Sequence, residues 1–146
     1  MKWLVRIGYT LLASIVGFIF ASMLHTQSVL AKLTEIDVII TVSERLNTTW
    51  HDLIGLAPTY GLIICITLLL SFSVAGLLNK KLKASKHIIY PLAGGAGFLL
   101  MLIAMQPILG VTIIAGARGT IGLLLQISAG VLAGICFAQF RRTKSS

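Results

Sequence analysis

Charge is the scarcest feature of this 146-residue sequence: 11% of the residues are charged, and only four of them are acidic. A soluble domain carries about 25% charged residues, whereas 57% of the residues here are hydrophobic. This shortage of charge argues against a soluble globular protein. The net charge of +8 would suggest nucleic-acid binding in a soluble chain. Here the basic residues flank apolar runs, which is typical of an integral membrane protein with no nucleic-acid partner.

Motifs for the common kinds of membrane chemistry are also missing. No acidic residue lies within an apolar run, whereas proton-coupled pumps and exporters depend on an intramembrane carboxylate. Cys65 and Cys136 form no Cys-x-x-Cys pair, which argues against a thiol oxidase. Their expected depths below the outer surface, roughly 12 Å and 24 Å, predict two free thiols. No phosphate-binding loop or Ser-His-Asp set is recognisable, so the sequence predicts no catalytic residue, no cofactor and no metal.

Four apolar runs are long enough to cross the hydrocarbon core of a bilayer. They predict an all-α protein, a single membrane domain with four transmembrane helices and a short amphipathic helical segment in the first outer loop. The helices are expected at about 5–24, 57–78, 88–106 and 119–140. The basic start of the first run also fits a signal peptide, but the run is longer than a signal core and no clear cleavage site follows it. We therefore expect a retained anchor.

The distribution of charge predicts the orientation in the membrane. The loop 79–87 contains four lysines, the tail 141–146 is basic, and all four acidic residues fall in the first loop, 25–56. By the positive-inside rule, loop 79–87 and both termini are cytoplasmic and loop 25–56 is outside. This charge layout predicts a multi-pass protein of the bacterial inner (plasma) membrane.

The first outer loop, 25–56, is predicted to form two short amphipathic helices that lie on the membrane surface. Two Thr-x-x-Asp pairs, beginning at Thr34 and Thr49, resemble helix N-caps. Because the second pair follows the first within one loop, we expect a break near Asn47. Trp50 is expected at the level of the lipid headgroups.

Small residues recur at every fourth position of the last predicted helix, with one amide among them: Gly122, Gln126, Gly130, Gly134 and Ala138. In lipid, helices associate through close backbone approach at small residues, so another helix is expected in this groove. The first helix has a matching set of small residues and is the candidate partner. These residues are Ala13, Gly17 and Ala21.

Four polar residues are candidates for binding: Arg118, Gln126, His51 and Asp52. Arg118, at the predicted start of the last helix, could hold a phosphate or carboxylate; alternatively it is an interfacial arginine that reaches water or pairs with an outer-loop acid. Gln126 is expected either to bond to a neighbouring helix or to line a polar pathway. His51, beside Asp52, could titrate or bind a metal with His25, but two histidines without a third ligand make a weak metal site.

Three functions remain open. The first is a non-enzymatic accessory, assembly or regulatory subunit that acts through helix packing, which close-packing patterns without buried charge favour. The second is a small homo-oligomeric channel or transporter, with residues 94–97, residues 107–118 and Gln126 along its route. The third is a lipid-binding protein or membrane-embedded enzyme that uses His51, Asp52 and Arg118 at its outer face. The expected partners are membrane lipids and either another membrane protein or further copies of the chain.

Overall fold

The computed structural model describes residues 2–35, 37, 39–109 and 120–142. Five α-helices account for most of them: α1 (Lys2–Thr34), α2 (Val42–Leu56), α3 (Leu62–Leu82), α4 (Lys86–Leu109) and α5 (Thr120–Arg142). A short π-helix, Ala57–Gly61, joins α2 directly to α3. The described part of the chain contains no strand, so the all-α prediction is confirmed.

Four helical segments are long and apolar enough to cross a bilayer: Leu4–Thr34, Val42–Leu82, Lys86–Met105 and Thr120–Arg141. The chain is therefore a multi-pass membrane protein with the four predicted transmembrane helices. The first two segments have 31 and 41 residues, or about 46 Å and 62 Å at the helical rise of 1.5 Å per residue. The hydrocarbon core of a bilayer is only about 30 Å thick, so both segments extend beyond it.

The extra length comes from the predicted outer loop, 25–56. α1 continues to Thr34 instead of ending near residue 24, and α2 passes through Asn47 without interruption. The predicted break at Asn47 is therefore wrong, and the chain has one amphipathic helix here instead of two. The two helices are separated earlier, between Thr34 and Val42, where Asp37 has a left-handed φ of 62°, a conformation that Asp tolerates better than most residues.

A capping box sets the start of α2. The Thr41 hydroxyl accepts a hydrogen bond from the backbone N–H of Glu44 at 3.3 Å, and the Glu44 carboxylate accepts one from the backbone N–H of Thr41 at 2.7 Å. This exchange satisfies two backbone donors that have no partner within the helix. The predicted caps at Thr34 and Thr49 are wrong, because both hydroxyls donate to carbonyl oxygens three or four residues earlier in their own helices.

Replacing Thr41 with alanine is expected to loosen the first turn of α2, because the backbone N–H of Glu44 loses its acceptor. Loss of a threonine cap corresponds to about fivefold more frequent opening of the helix end. Hydrogen exchange at the amides of Glu44 and Arg45, measured in micelles, should accelerate by about this factor. Ser43→Ala changes an exposed neighbour outside the capping box and should leave the exchange rates unchanged. Equal acceleration in both variants would contradict the assigned cap.

α1 runs antiparallel to the continuous segment formed by α2, the π-helix and α3. The rings of Phe18 and Tyr60 meet edge to face with centroids 6.4 Å apart, and the Thr26 hydroxyl donates to the Asp52 carboxylate at 2.8 Å. From Phe18 to Thr26 is eight residues (26 − 18), and from Tyr60 back to Asp52 is also eight (60 − 52). The antiparallel register is thus the same at both pairs. α2 therefore runs alongside α1 in the same alignment as the π-helix that follows it.

One end of the bundle holds the starts of α1 and α4 and the ends of α3 and α5. Tyr9 of α1 stacks on Phe140 of α5 with ring centroids 6.2 Å apart, and the Arg141 guanidinium donates a hydrogen bond to the Tyr90 hydroxyl of α4. Basic residues of four helices lie at this end, which we call the basic end: Arg6, Lys80, Lys86 and Arg141.

Glycines bring the backbones of α4 and α5 into direct contact. A Cβ atom built on Gly130 would lie 2.5 Å from the carbonyl oxygen of Gly94, and one built on Gly134 would overlap the carbonyl oxygen of Tyr90. The groove at Gly130 and Gly134 therefore holds α4, not α1 as predicted. α1 packs on the adjacent face of α5, where a Cβ on Gly17 would lie 3.0 Å from that of Ala133.

Candidate functional site

A buried amide, Gln126, connects three helical segments in the core. Its side chain is 1% exposed. Its oxygen accepts a hydrogen bond from the Tyr60 hydroxyl at 2.8 Å, and its nitrogen donates to the backbone carbonyl oxygen of Ala21 at 2.9 Å. Both ends of the amide are therefore satisfied, which a polar group at membrane depth requires. These bonds join α5 to the π-helix and to α1, the first of the two roles expected for this residue.

Tyr60 reaches Gln126 from the π-helix between α2 and α3. Pro58 lies in the first turn of that π-helix, and a proline within a continuous helix removes a backbone donor and disturbs the preceding turn. Such wide turns often position functional or buried side chains. Tyr60 is fully buried. The signal in the sequence that could have located the wide turn is Pro58 within one helical segment.

A second set of polar contacts holds α2 against α1. In addition to the Thr26–Asp52 bond, the Arg45 guanidinium donates to the Gln27 side-chain oxygen at 3.2 Å, and the Gln27 amide donates to the Thr49 hydroxyl at 3.4 Å. Three polar side chains of α2 thus bond to α1: Arg45, Thr49 and Asp52. Asp52 therefore takes part in the contact between α1 and α2, through its hydrogen bond with Thr26.

The structure separates the paired candidates His51 and Asp52. Successive helix residues point about 100° apart; Asp52 contacts α1, whereas the side chain of His51 is exposed. His25, the other outer-loop histidine, is 8% exposed within α1. Among the described residues, no group of three or more His, Cys, Asp or Glu side chains lies close enough together to hold a metal ion.

The remaining candidates divide into those the structure places and those it does not. Arg118 and the rest of the 110–119 connection lie outside the described residues. Cys65 and Cys136 are both free, as predicted, and both are partly buried. All the predicted helix-packing residues are buried: Ala13, Gly17, Ala21, Gly122, Gly130, Gly134 and Ala138.

The glycines at 94–97, which the channel alternative places along a route, make helix contacts. Gly94 meets the backbone of Gly130, a Cβ on Gly95 would lie 2.9 Å from a side-chain methyl of Val131, and Gly97 is covered by the Ser71 side chain.

α2 carries an exposed apolar row. Four side chains at every fourth position are 75%, 69%, 61% and 57% exposed, and we call them the α2 stripe: Val42, Leu46, Trp50 and Ile54. α2 has no buried residue, and its polar side chains are too numerous for a hydrocarbon environment. Exposed rows of large apolar side chains mark surfaces that bind proteins or membranes.

Comparison with models of known protein families, with curated protein sequences and with solved structures finds no match to this chain. The fold itself defines the class. The chain has four helical segments long and apolar enough to span a membrane, and the first two, which are longer than the hydrocarbon core is thick, are paired through α1 and α2.

Proposed function

We propose that this chain is a non-enzymatic accessory, assembly or regulatory subunit of the bacterial inner membrane, and that it binds another membrane protein through the α2 stripe. The observation that carries this proposal is the exposure of the stripe: four large apolar side chains are each more than half exposed. Three polar side chains of the same helix, Arg45, Thr49 and Asp52, bond to α1.

The position of α2 favours a protein partner over the membrane surface. A helix bound to the headgroup layer lies in the membrane plane with its apolar side facing the lipid. α2 instead keeps the antiparallel register with α1 that Phe18 and Tyr60 establish within the bundle. Its stripe therefore faces sideways along a helix of 15 residues, or about 22 Å, which a second helix of similar length would cover.

The use of the buried polar groups supports a role without catalysis. Gln126 and Tyr60 bond to each other and to the backbone of α1, and Asp52 bonds to Thr26. Groups engaged in this way hold helices together and are poorly placed to exchange protons with a substrate.

The charge layout supports the proposed orientation. Both described ends of the chain lie at the basic end, together with the lysines that follow α3. Since basic residues are retained on the cytoplasmic side, we place the basic end in the cytoplasm and α2 on the opposite, outer side. The partner would then bind the protein from outside the cytoplasm.

The test is to replace Leu46 with glutamate and ask which complex is lost. A buried leucine contributes roughly 1.5–3 kcal/mol to an interface, so Leu46→Glu should reduce recovery of a stoichiometric partner at least tenfold, as measured by native mass spectrometry after gentle extraction. Gly55→Glu is the matched control. Gly55 lies nine residues from Leu46, on the opposite side of the helix, and a Cβ there meets open space.

Three results are possible. Loss of a second protein in Leu46→Glu, with retention in Gly55→Glu, would support the accessory-subunit function and identify the complex. A homo-oligomer that depends on Leu46 would favour the alternative of a small channel or transporter built from several copies. A monomer in the wild type, or a partner equally retained by both variants, would contradict binding through the α2 stripe.

A further inference from the structure

A narrow cleft opens between α1 and α3 at the basic end of the bundle. Its volume is about 130 Å³. Its walls are apolar, with Leu69 and Leu77 on α3 and the rings of Phe72 and Phe137 at its floor, and two cations, Arg6 and Lys80, lie at its rim. Leu77 is 64% exposed, so the cleft opens onto the outer surface of the helical bundle.

The hydroxyl groups of the cleft are already engaged. Thr10 donates to the backbone carbonyl of Arg6 at 3.0 Å, and Ser73 donates to that of Leu69 at 2.6 Å. Arg6 and Lys80 are the charged residues among those that line the cleft. Cationic donors form their strongest hydrogen bonds with carboxylate and phosphate oxygens.

A glycine in α3 leaves room for the side chain of one of these cations. A Cβ atom on Gly76 would overlap a guanidinium nitrogen of Arg6, so the absence of a side chain there lets the guanidinium lie against α3 at the mouth of the cleft. This contact orders a side chain that would otherwise lose rotamer entropy when it bound a ligand.

The charge surrounding the cleft has one sign. None of the described residues that line it is acidic, and all four acidic residues of the chain fall between positions 35 and 52, at the opposite end of α1. Each basic residue near a membrane surface attracts anionic lipid with a gain of about fivefold in binding.

From this arrangement we infer that the cleft binds an anionic phospholipid of the adjacent leaflet. The phosphate lies between Arg6 and Lys80, and the first part of an acyl chain lies against Leu69, Phe72 and Leu77. A free phosphate ion and a phospholipid would both present a phosphate anion to the two cations. The apolar walls favour the phospholipid, because they contact its acyl chain. This site is at the opposite end of the molecule from the α2 stripe and does not depend on the function proposed for that stripe.

The test compares two neighbouring lysines of α3. Both lysines are exposed, but Lys80 lines the cleft, whereas Lys81 lies outside it and points about 100° away. Purified, delipidated protein is titrated with phosphatidylglycerol or with phosphatidylcholine of the same acyl chains, and the bound lipids are counted by native mass spectrometry. We expect phosphatidylglycerol to bind at least five times more tightly, Lys80→Gln to weaken it about fivefold and Lys81→Gln to weaken it less than twofold.

A competition experiment distinguishes a lipid from free phosphate as the ligand. The variant Lys80→Arg tests whether the positive charge is what binding requires. Inorganic phosphate at 10-fold excess over the lipid should not displace phosphatidylglycerol from the wild type, and Lys80→Arg should restore binding. Displacement by inorganic phosphate would overturn the lipid site in favour of an anion site. Equal affinity for the two lipids, or equal weakening by Lys80→Gln and Lys81→Gln, would overturn the site altogether.

Discussion

Replacing Gly130 with alanine is expected to push α4 away from α5 and to lower the free energy of unfolding by about 2–3 kcal/mol. The added Cβ atom would lie 2.5 Å from the carbonyl oxygen of Gly94 and 2.6 Å from a ring carbon of Phe98. The first of these is a backbone atom, so relief requires the helices to separate. Separation sacrifices the close packing that stabilises helix pairs in lipid. Unfolding titrations in mixed micelles measure this loss.

Gly8→Ala provides the matched control for this substitution. A Cβ atom on Gly8 of α1 meets nothing within 4 Å, so the change adds the same methyl group without a clash. Alanine is favoured over glycine in a helix by about 1 kcal/mol, and both variants receive that gain. Gly8→Ala should therefore be as stable as the wild type or more so. Stability of Gly130→Ala at the wild-type level would show that the α4–α5 contact is looser than described.

Replacing Gln126 with leucine is the second change with a large expected effect. The substitution leaves the buried Tyr60 hydroxyl without its acceptor and removes the donor to the Ala21 carbonyl. A buried polar group deprived of its partner costs about 1–3 kcal/mol. Interhelical hydrogen bonds in membranes average somewhat less, so we expect a loss of about 2 kcal/mol. The same micelle titration measures it.

A double-mutant cycle distinguishes the hydrogen bond from simple packing. Tyr60→Phe removes the hydroxyl and should cost about 1 kcal/mol, but Tyr60→Phe combined with Gln126→Leu should cost less than the two single changes together, because no unpaired hydroxyl remains. Ser128→Leu is the control for polarity in α5. Ser128 is exposed and bonds to its own helix backbone, so this change should have an effect below about 0.5 kcal/mol. Strict additivity in the Tyr60–Gln126 cycle would exclude coupling between the two side chains.

The extent of the first two helices shows where sequence patterns mislead. Residues 25–56 are polar enough to be assigned to a loop, and their amphipathic spacing predicts a helix but not its location. An amphipathic helix can lie on a bilayer or alongside another helix, since both positions satisfy the same periodicity. The contacts of Thr26 with Asp52 and of Gln27 with Arg45 settle the choice. None of these pairs is adjacent in sequence, so no local pattern reveals them.

The candidate site was only partly predictable for a similar reason. A glutamine in a transmembrane helix needs a partner, and this alone singled out Gln126. Its partner Tyr60 is 66 residues away in the chain and becomes available through the wide turn at Pro58. The sequence predicted amphipathic structure in loop 25–56, but the exposure of the α2 stripe depends on which side of α2 contacts α1.

The sequence by itself determined the class of this protein: the number of spans, the absence of charge within them and the grouping of basic residues at one end. These properties depend on the transfer of single segments between water and lipid, which is a local free energy that each segment carries alone. Only the tertiary structure decided which helix fills the glycine groove at Gly130 and Gly134, and how α2 is held. In lipid, apolar side chains are equally well solvated in every pairing, so the pairing is chosen by shape and by a few hydrogen bonds between distant residues.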